Sequence, residues 1–277
     1  MIVTVEWLRD HIEDEHVRII DCRFDLANIN WGREQYELEH IPHALYFDLD
    51  HDLSSPVTKH GGRHPLPDVE TFIQKLSQAG IDEDTTVVAY DSQAGAMASR
   101  LWWLLTYVGH KKVHVLNGGF PAWKEQNLPT TANLSVVAPK TFVPSLEEDI
   151  LITMEELKEK INTNANMTLI DSREPKRYAG LEEPVDTKAG HIPTAENYFW
   201  KDGVTVEGQF KGEVDQQERF RHLDKEKETI VYCGSGVTAC PNVLALQTAG
   251  FNNIRLYAGS WSDWISYPEN LIAKEEK

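Results

Sequence analysis

The 277-residue chain repeats itself. VTVEWLRDHI (residues 3–12) returns as ITMEELKEKI (152–161), IIDCR (19–23) as LIDSR (169–173), and HIPHA (40–44) as HIPTA (191–195). VVAYD (87–91) returns as TIVYC (229–233). Gly109 pairs with Gly250, Gly118 with Gly259, and Trp123 with Trp264. The matches keep their order and, within a few residues, their spacing. The period is far too long for a solenoid, whose repeats cannot bury a core alone. The chain is therefore expected to hold two copies of one domain, residues 1–132 and 150–277. The linker at 133–149 has two prolines and no helical period.

Within each copy short β-branched runs alternate with longer apolar stretches. MTLID (167–171) and TIVYC (229–233) are strand-sized and end at polar or glycine positions, as buried parallel strands do. GVTACPNVLALQTAGF follows the second run as a helix, with Val243, Leu244, Leu246 and Ala249 expected along one face and Gly250 as its stop. NNIRLYAGS is the next strand, and KKVHVLNGG, after the helix MASRLWWLLTYVG, is its counterpart in the first copy. Such alternation predicts an α/β protein, each copy a mainly parallel sheet with helices on both faces. Ligands of these sheets sit beyond the carboxyl ends of the strands, and Cys233 lies at one such end.

The remaining totals remove alternatives. A formal charge of −17 repels phosphate backbones, which excludes nucleic acid as the expected partner. No apolar stretch has membrane-spanning length, and the first residues lack the basic start of a secretory signal. Three cysteines, Cys22, Cys233 and Cys240, fit a reducing compartment, the cytoplasm, better than a disulfide framework. HIPH (His40, His43) and HGGRH (His60, His64) lack further ligands nearby, so no metal is expected and the histidines read as loop hydrogen-bonders.

CGSGVTA (233–239) carries the chemistry. A glycine-rich turn between strand and helix aims backbone N–H groups at one spot, and the helix start adds its positive dipole end. A thiol there is expected to ionise below the free value of about 8.5. Gly234 and Gly236 permit backbone angles that a Cβ resists, while Ser235 and Thr238 add hydroxyl donors. The alternative for Cys233 is a small buried hydrophobe. Against it stands the repeat: the equivalent residue is Asp91, in a loop, DSQAGAMA, that is one residue longer, so packing does not demand a thiol. Gly234, Gly236 and Ala239 also spell a dinucleotide-binding GxGxxA, but residues 252–258 offer no acid for a ribose hydroxyl. A cysteine phosphatase needs an arginine six residues after its cysteine, where Ala239 stands.

The tandem copies, the HIP turns, the DSR after the second-copy strand and CGSGVTA resemble the two-domain rhodanese-type sulfurtransferases over nearly the whole chain. The neutral loop is similar to that of the mercaptopyruvate branch, as thiosulfate-using members usually carry basic residues just after the cysteine. The resemblance implies an inactive first copy with Asp91 at the cysteine position and one active site on the second. It implies ping-pong transfer of a sulfane sulfur from a small anionic donor, 3-mercaptopyruvate ahead of thiosulfate, through a Cys233 persulfide. The acceptor is a thiol (a small dithiol or a thioredoxin-like protein) or cyanide, and no cofactor is required. Gly234, Gly236, Val237 and Thr238 line the substrate, and Arg177 takes the donor's anionic end. Ser235 corresponds to a serine proposed to relay a proton in that branch, and Asp50 and His64 to first-copy residues that complete the relay. Ordinary alternatives stand beside these: an ion pair of Arg177 with Glu174 or Glu182, and loop hydrogen bonding for Asp50 and His64. One departure is plain. Mercaptopyruvate enzymes usually have a second arginine between the RF/RY and GHIP motifs, and AGLEEPVDTKAGHIP offers only Lys188. The alternative function is a non-catalytic sulfur carrier that hands persulfide to a protein partner.

Overall fold

β-branched runs become strands. The computed structural model describes residues 1–275. In the first copy β1 (Ile2–Val3), β2 (Val17–Asp21), β3 (Leu45–Tyr46), β4 (Thr86–Tyr90) and β5 (Val113–Leu116) form a parallel sheet of order β1-β5-β4-β2-β3. In the second, β6 (Met167–Asp171), β7 (Glu196–Asn197), β8 (Glu228–Tyr232) and β9 (Ile254–Leu256) form a parallel sheet of order β7-β6-β8-β9. Leu151 adds an isolated parallel bridge to Leu256, at the place β1 holds beside β5. The repeat survives in register: β2 pairs with β4 from Val17↔Thr86 to Asp21↔Tyr90, and β6 with β8 from Met167↔Glu228 to Asp171↔Tyr232. The protein is α/β, with two parallel sheets flanked by helices.

Shared residues do shared work. Thr4 and Thr153 each cap a helix by accepting a backbone N–H three residues on, and Glu156 closes a capping box on Thr153. His40 and His191 each bond a tyrosine carbonyl, of Tyr36 and of Tyr178, and stack on that tyrosine's ring. The HIP histidines are thus scaffold in both copies. Trp123 and Trp264 are buried in the two cores and donate their indole N–H to carbonyls of Pro129 and Leu271.

One expectation changes. The helix after β8 begins only at Cys240 and runs Cys240–Thr248, and every residue from Cys240 to Leu246 is buried. It has no single apolar face because it is enclosed on all sides, which side-chain periodicity cannot reveal. Residues 234–239 ahead of it are loop.

The chain divides into two compact units. One comprises Met1–Ser55, Pro67–Glu147 and Val206–Phe210. The other comprises Pro56–Leu66, Glu148–Thr205 and the chain from Lys211 onward. Each unit includes a short segment from the other copy's stretch of sequence. Most of the segment expected as a linker groups with the first unit, where the Lys140 amide donates to Ser77 O at 2.9 Å and its ammonium pairs with Asp82 at 3.1 Å. In the same unit the Phe210 amide donates to Asn117 Oδ1 at 2.8 Å.

Candidate active site

The second-copy loop leaves the end of β8 at Cys233, which is 1% exposed. Its backbone is fixed on both sides. The Cys233 N–H donates to Ser260 Oγ at 3.1 Å, while Cys233 O and Gly234 O accept from the amides of Trp261 and Ser262. The helix Ser260–Trp264 therefore holds the loop from the neighbouring strand's end. Gly236 has φ +78°, and a Cβ there would collide with Ala258 O. Only glycine serves at that point. Val237 is buried and Thr238 half-buried.

The first copy shows what this strand–loop–helix does with a negative charge. Asp91 follows β4 as Cys233 follows β8. One carboxylate oxygen accepts from the amides of Gln93 (2.8 Å) and Gly95 (2.9 Å), the other from Met97 (2.7 Å) and Ala98 (2.9 Å). Four amides converge on one buried anion. Burial pushes the Asp91 carboxyl above its ordinary value, and these amides oppose the rise. Gly95 and Gly236 are both left-handed, φ +81° and +78°, but Gly95 lies directly before its helix (Ala96–Tyr107) while Gly236 lies four residues before Cys240, so the two loops reach their helices by different paths.

Of the residues predicted to serve the site, Ser235 and His64 meet. Their Oγ and Nδ1 atoms share a hydrogen bond at 2.7 Å, and both residues are buried. His64 lies in the Pro56–Leu66 segment and so belongs to the same compact unit as Cys233. Asp50 belongs to the other unit, where its amide donates to Asp48 Oδ1 at 2.9 Å and burial raises its carboxyl.

Arg177 is paired, but not with Glu174 or Glu182. It binds Glu183 at 2.7 Å and Asp186 at 2.9 Å, while Lys176 takes Glu182 at 2.8 Å. The helix turn Pro175–Tyr178 aims Lys176 outward and Arg177 inward, a matter of one residue's rotation. Lys188 donates to Ile265 O at 3.0 Å. A second guanidinium does stand over the loop, from elsewhere in the chain. A Cβ on Gly234 would meet Arg63 Nη2 at 2.9 Å and Arg177 Nη2 and Nη1 at 3.6 and 3.7 Å. Arg63 ion-pairs with Asp186, and its amide donates to Ser262 Oγ at 3.1 Å. Sequence reasoning passed over Arg63. Its signal was the HGGRH loop, read there only for its histidines.

The two carboxylates among these arginines diverge. Burial raises Glu183, but Arg177 and the amides of Asp186 and Val185 outweigh it and hold the group below its ordinary value. Burial dominates at Asp186 and leaves it above, against the pull of Arg63 and Arg177. Behind them, Asp171 and Arg173 form a buried bidentate pair, closest approach 2.6 Å, with the Arg173 guanidinium 4.6 Å from the Trp261 ring centre and 3.3 Å from Glu183. Asp21 and Arg23 repeat that pair at 2.7 Å in the first copy. Both aspartates accept the backbone N–H two residues on. The arginine in each DxR motif is thus structural.

Cys240 opens its helix, and its thiol donates to Gly236 O at 3.3 Å, a bond that braces the turn. Cys22 is buried beside Asp21, and burial pushes its thiol well up. None of the three cysteines is in a disulfide. His60 bonds Ser266 Oγ at 2.7 Å and stacks on Tyr267.

Comparison with known proteins identifies the domain. Residues 4–126 and 153–267 each match the model of the rhodanese-like domain. A Pseudomonas aeruginosa protein named as a probable 3-mercaptopyruvate sulfurtransferase is 39% identical over 98% of this chain and 97% of its own. The thiosulfate sulfurtransferase of Gallus gallus is 32% identical over 95% and 93%. Among solved structures, SseA from Escherichia coli, described as a 3-mercaptopyruvate sulfotransferase, superposes with a TM-score of 0.82 at 30% identity, covering 94% of this chain and 98% of that one.

Proposed function

The chain belongs to the rhodanese-like family, carries the domain twice and is a sulfurtransferase; within that activity we propose that Cys233 is the residue that accepts and passes on the sulfur. The observation that carries this reading is the asymmetry of the repeat. The first copy's cradle is filled by its own Asp91 carboxylate and four amides, and the equivalent position after β8 in the second copy carries a thiol. The second copy is the catalytic one, and the first is its inactive scaffold.

The donor is a small anion, 3-mercaptopyruvate ahead of thiosulfate. Two observations support an anion: the amide cradle that the equivalent first-copy position builds around Asp91, and the guanidinium of Arg177 above Gly234. Gly234, Gly236, Val237 and Thr238 form the wall against which the donor lies. The Cys233 thiolate attacks the donor's sulfur and a new S–S bond forms. In mercaptopyruvate the C–S bond breaks, its electron pair passes to carbon as the pyruvate enolate, and that carbon takes a proton. Ser235, bonded to His64, holds a proton near the reacting sulfur. An acceptor thiol, from a small dithiol or a thioredoxin-like protein, or cyanide, then attacks the outer sulfur, and Cys233 departs as thiolate. We place the reaction in the cytoplasm, where an acceptor thiol stays reduced. No helix among the described residues is long and apolar enough to cross a membrane.

Two measurements test this. Mass analysis of the Cys233 peptide after incubation with either donor should show a gain of one sulfur atom; an unmodified peptide overturns the assignment. Ser235→Ala should reduce kcat with mercaptopyruvate by about a hundredfold and spare thiosulfate, because sulfite leaves without needing a proton on carbon. Equal losses with both donors would remove Ser235 from proton transfer.

A further inference from the structure

Resting on the assignment of Cys233 as sulfur acceptor, we propose that Arg63 is the second donor-binding guanidinium, that it forms with Arg177 an anion subsite over Gly234, and that the Asp186 carboxylate occupies this subsite until the donor's carboxylate or sulfonate-like end exchanges with it. Between Arg177 and the second HIP turn the only basic residue is Lys188, and its ammonium donates to Ile265 O. The fold supplies the charge from Pro56–Leu66 instead. Arg63 Nη2 and both terminal nitrogens of Arg177 stand within 2.9 to 3.7 Å of the one position a side chain on Gly234 would take. Gly234 is the residue next to Cys233, so an anion held by both arginines lies beside the thiol. A side chain on residue 234 would enter the space between the two guanidiniums.

The charges show which internal group gives way. Glu183 is committed elsewhere: it bonds Arg173 at 3.3 Å as well as Arg177, and accepts from the amides of Val185 and Asp186. Asp186 bridges Arg63 and Arg177, whose side chains are 31% and 17% exposed. If Asp186 withdraws, the two guanidiniums lose one unit of negative charge. A donor with one two-oxygen anionic end restores it, since planar forks match a carboxylate or a sulfonate-like group equally. The burial that raises the Asp186 carboxyl makes it the weaker anion of the two and the easier to displace. Arg63 is thus a binding residue for the donor, and Asp186 sets how anionic a donor must be to enter.

The test uses the full-length protein, with mercaptopyruvate turnover and calorimetric binding of pyruvate as a carboxylate probe. Arg63→Ala should raise the donor KM and weaken pyruvate binding about tenfold or more, the effect of losing one charge-assisted contact, with kcat little changed. Arg63→Lys, a safeguard against misfolding, should give a smaller rise of the same kind. Asp186→Asn should act in the opposite sense, lowering KM and tightening pyruvate several-fold. Unchanged KM and pyruvate affinity in Arg63→Ala would overturn the subsite. Weaker binding in Asp186→Asn would overturn the exchange and make Asp186 a strut for Arg63. Pyruvate binding needs no thiol chemistry, so it is independent of the Cys233 assignment. Loss of pyruvate affinity in Arg63→Ala, with no sulfur ever found on Cys233, would sink the nucleophile and spare the subsite.

Discussion

Cys233→Ser should abolish sulfur transfer from both mercaptopyruvate and thiosulfate, by roughly four orders of magnitude or more, and leave the fold intact. A serine hydroxyl is nearly isosteric with the thiol but ionises far less readily, and oxygen cannot carry a sulfane sulfur. The site is 1% exposed, so the added hydroxyl costs about 1–3 kcal/mol in stability, too little to unfold the protein. Parallel assays of sulfide or thiocyanate release, with circular dichroism on the same samples, would check both halves. Turnover above a hundredth of wild type would place the nucleophile elsewhere. Cys240 would be the first suspect, because its thiol lies against Gly236 O in the same turn.

The second large effect concerns stability. Asp171→Asn should destabilise the second unit by about 3 kcal/mol, the lower end of what removing one partner of a buried ion pair costs. Asp171 is fully buried and Arg173 2% exposed, so the guanidinium would keep its charge in a dry site. Glu183 at 3.3 Å and the Gly190 carbonyl at 2.6 Å remain to it, which sets the estimate at the lower end. Arg173 would then lean harder on Glu183, and Arg177 would lose part of its anchor. Activity should therefore fall together with thermal stability. Calorimetry on this variant and on Asp21→Asn, its repeat equivalent, should lower two different transitions by roughly 10 °C. Shifts of a degree or two would mean that solvent reaches the pair.

The fold was largely legible because the chain states it twice. β6 runs over Met167–Asp171, the very residues of MTLID, and each HIP turn keeps its histidine on a tyrosine carbonyl. The repeat also singled out residue 233, since the strands leading to it matched while the position itself and the loop after it diverged, Asp91 against a thiol. What stayed hidden depends on long-range placement. Nothing local shows that Arg177 turns toward Glu183 and Asp186 while Lys176 takes Glu182. The buried helix Cys240–Thr248 has no period to read. Arg63 escaped because its sequence neighbourhood is the first copy while its compact unit is the second.

That exchange of short segments bears on how the gene can be dissected. A fragment beginning at residue 150 would match the family model in full, yet it would lack Arg63 and His64. The complementary fragment would end before Val206–Phe210, which completes its own globule. Expressing either half alone therefore yields an incomplete body, so single-domain truncations are poor tools for apportioning activity between the copies.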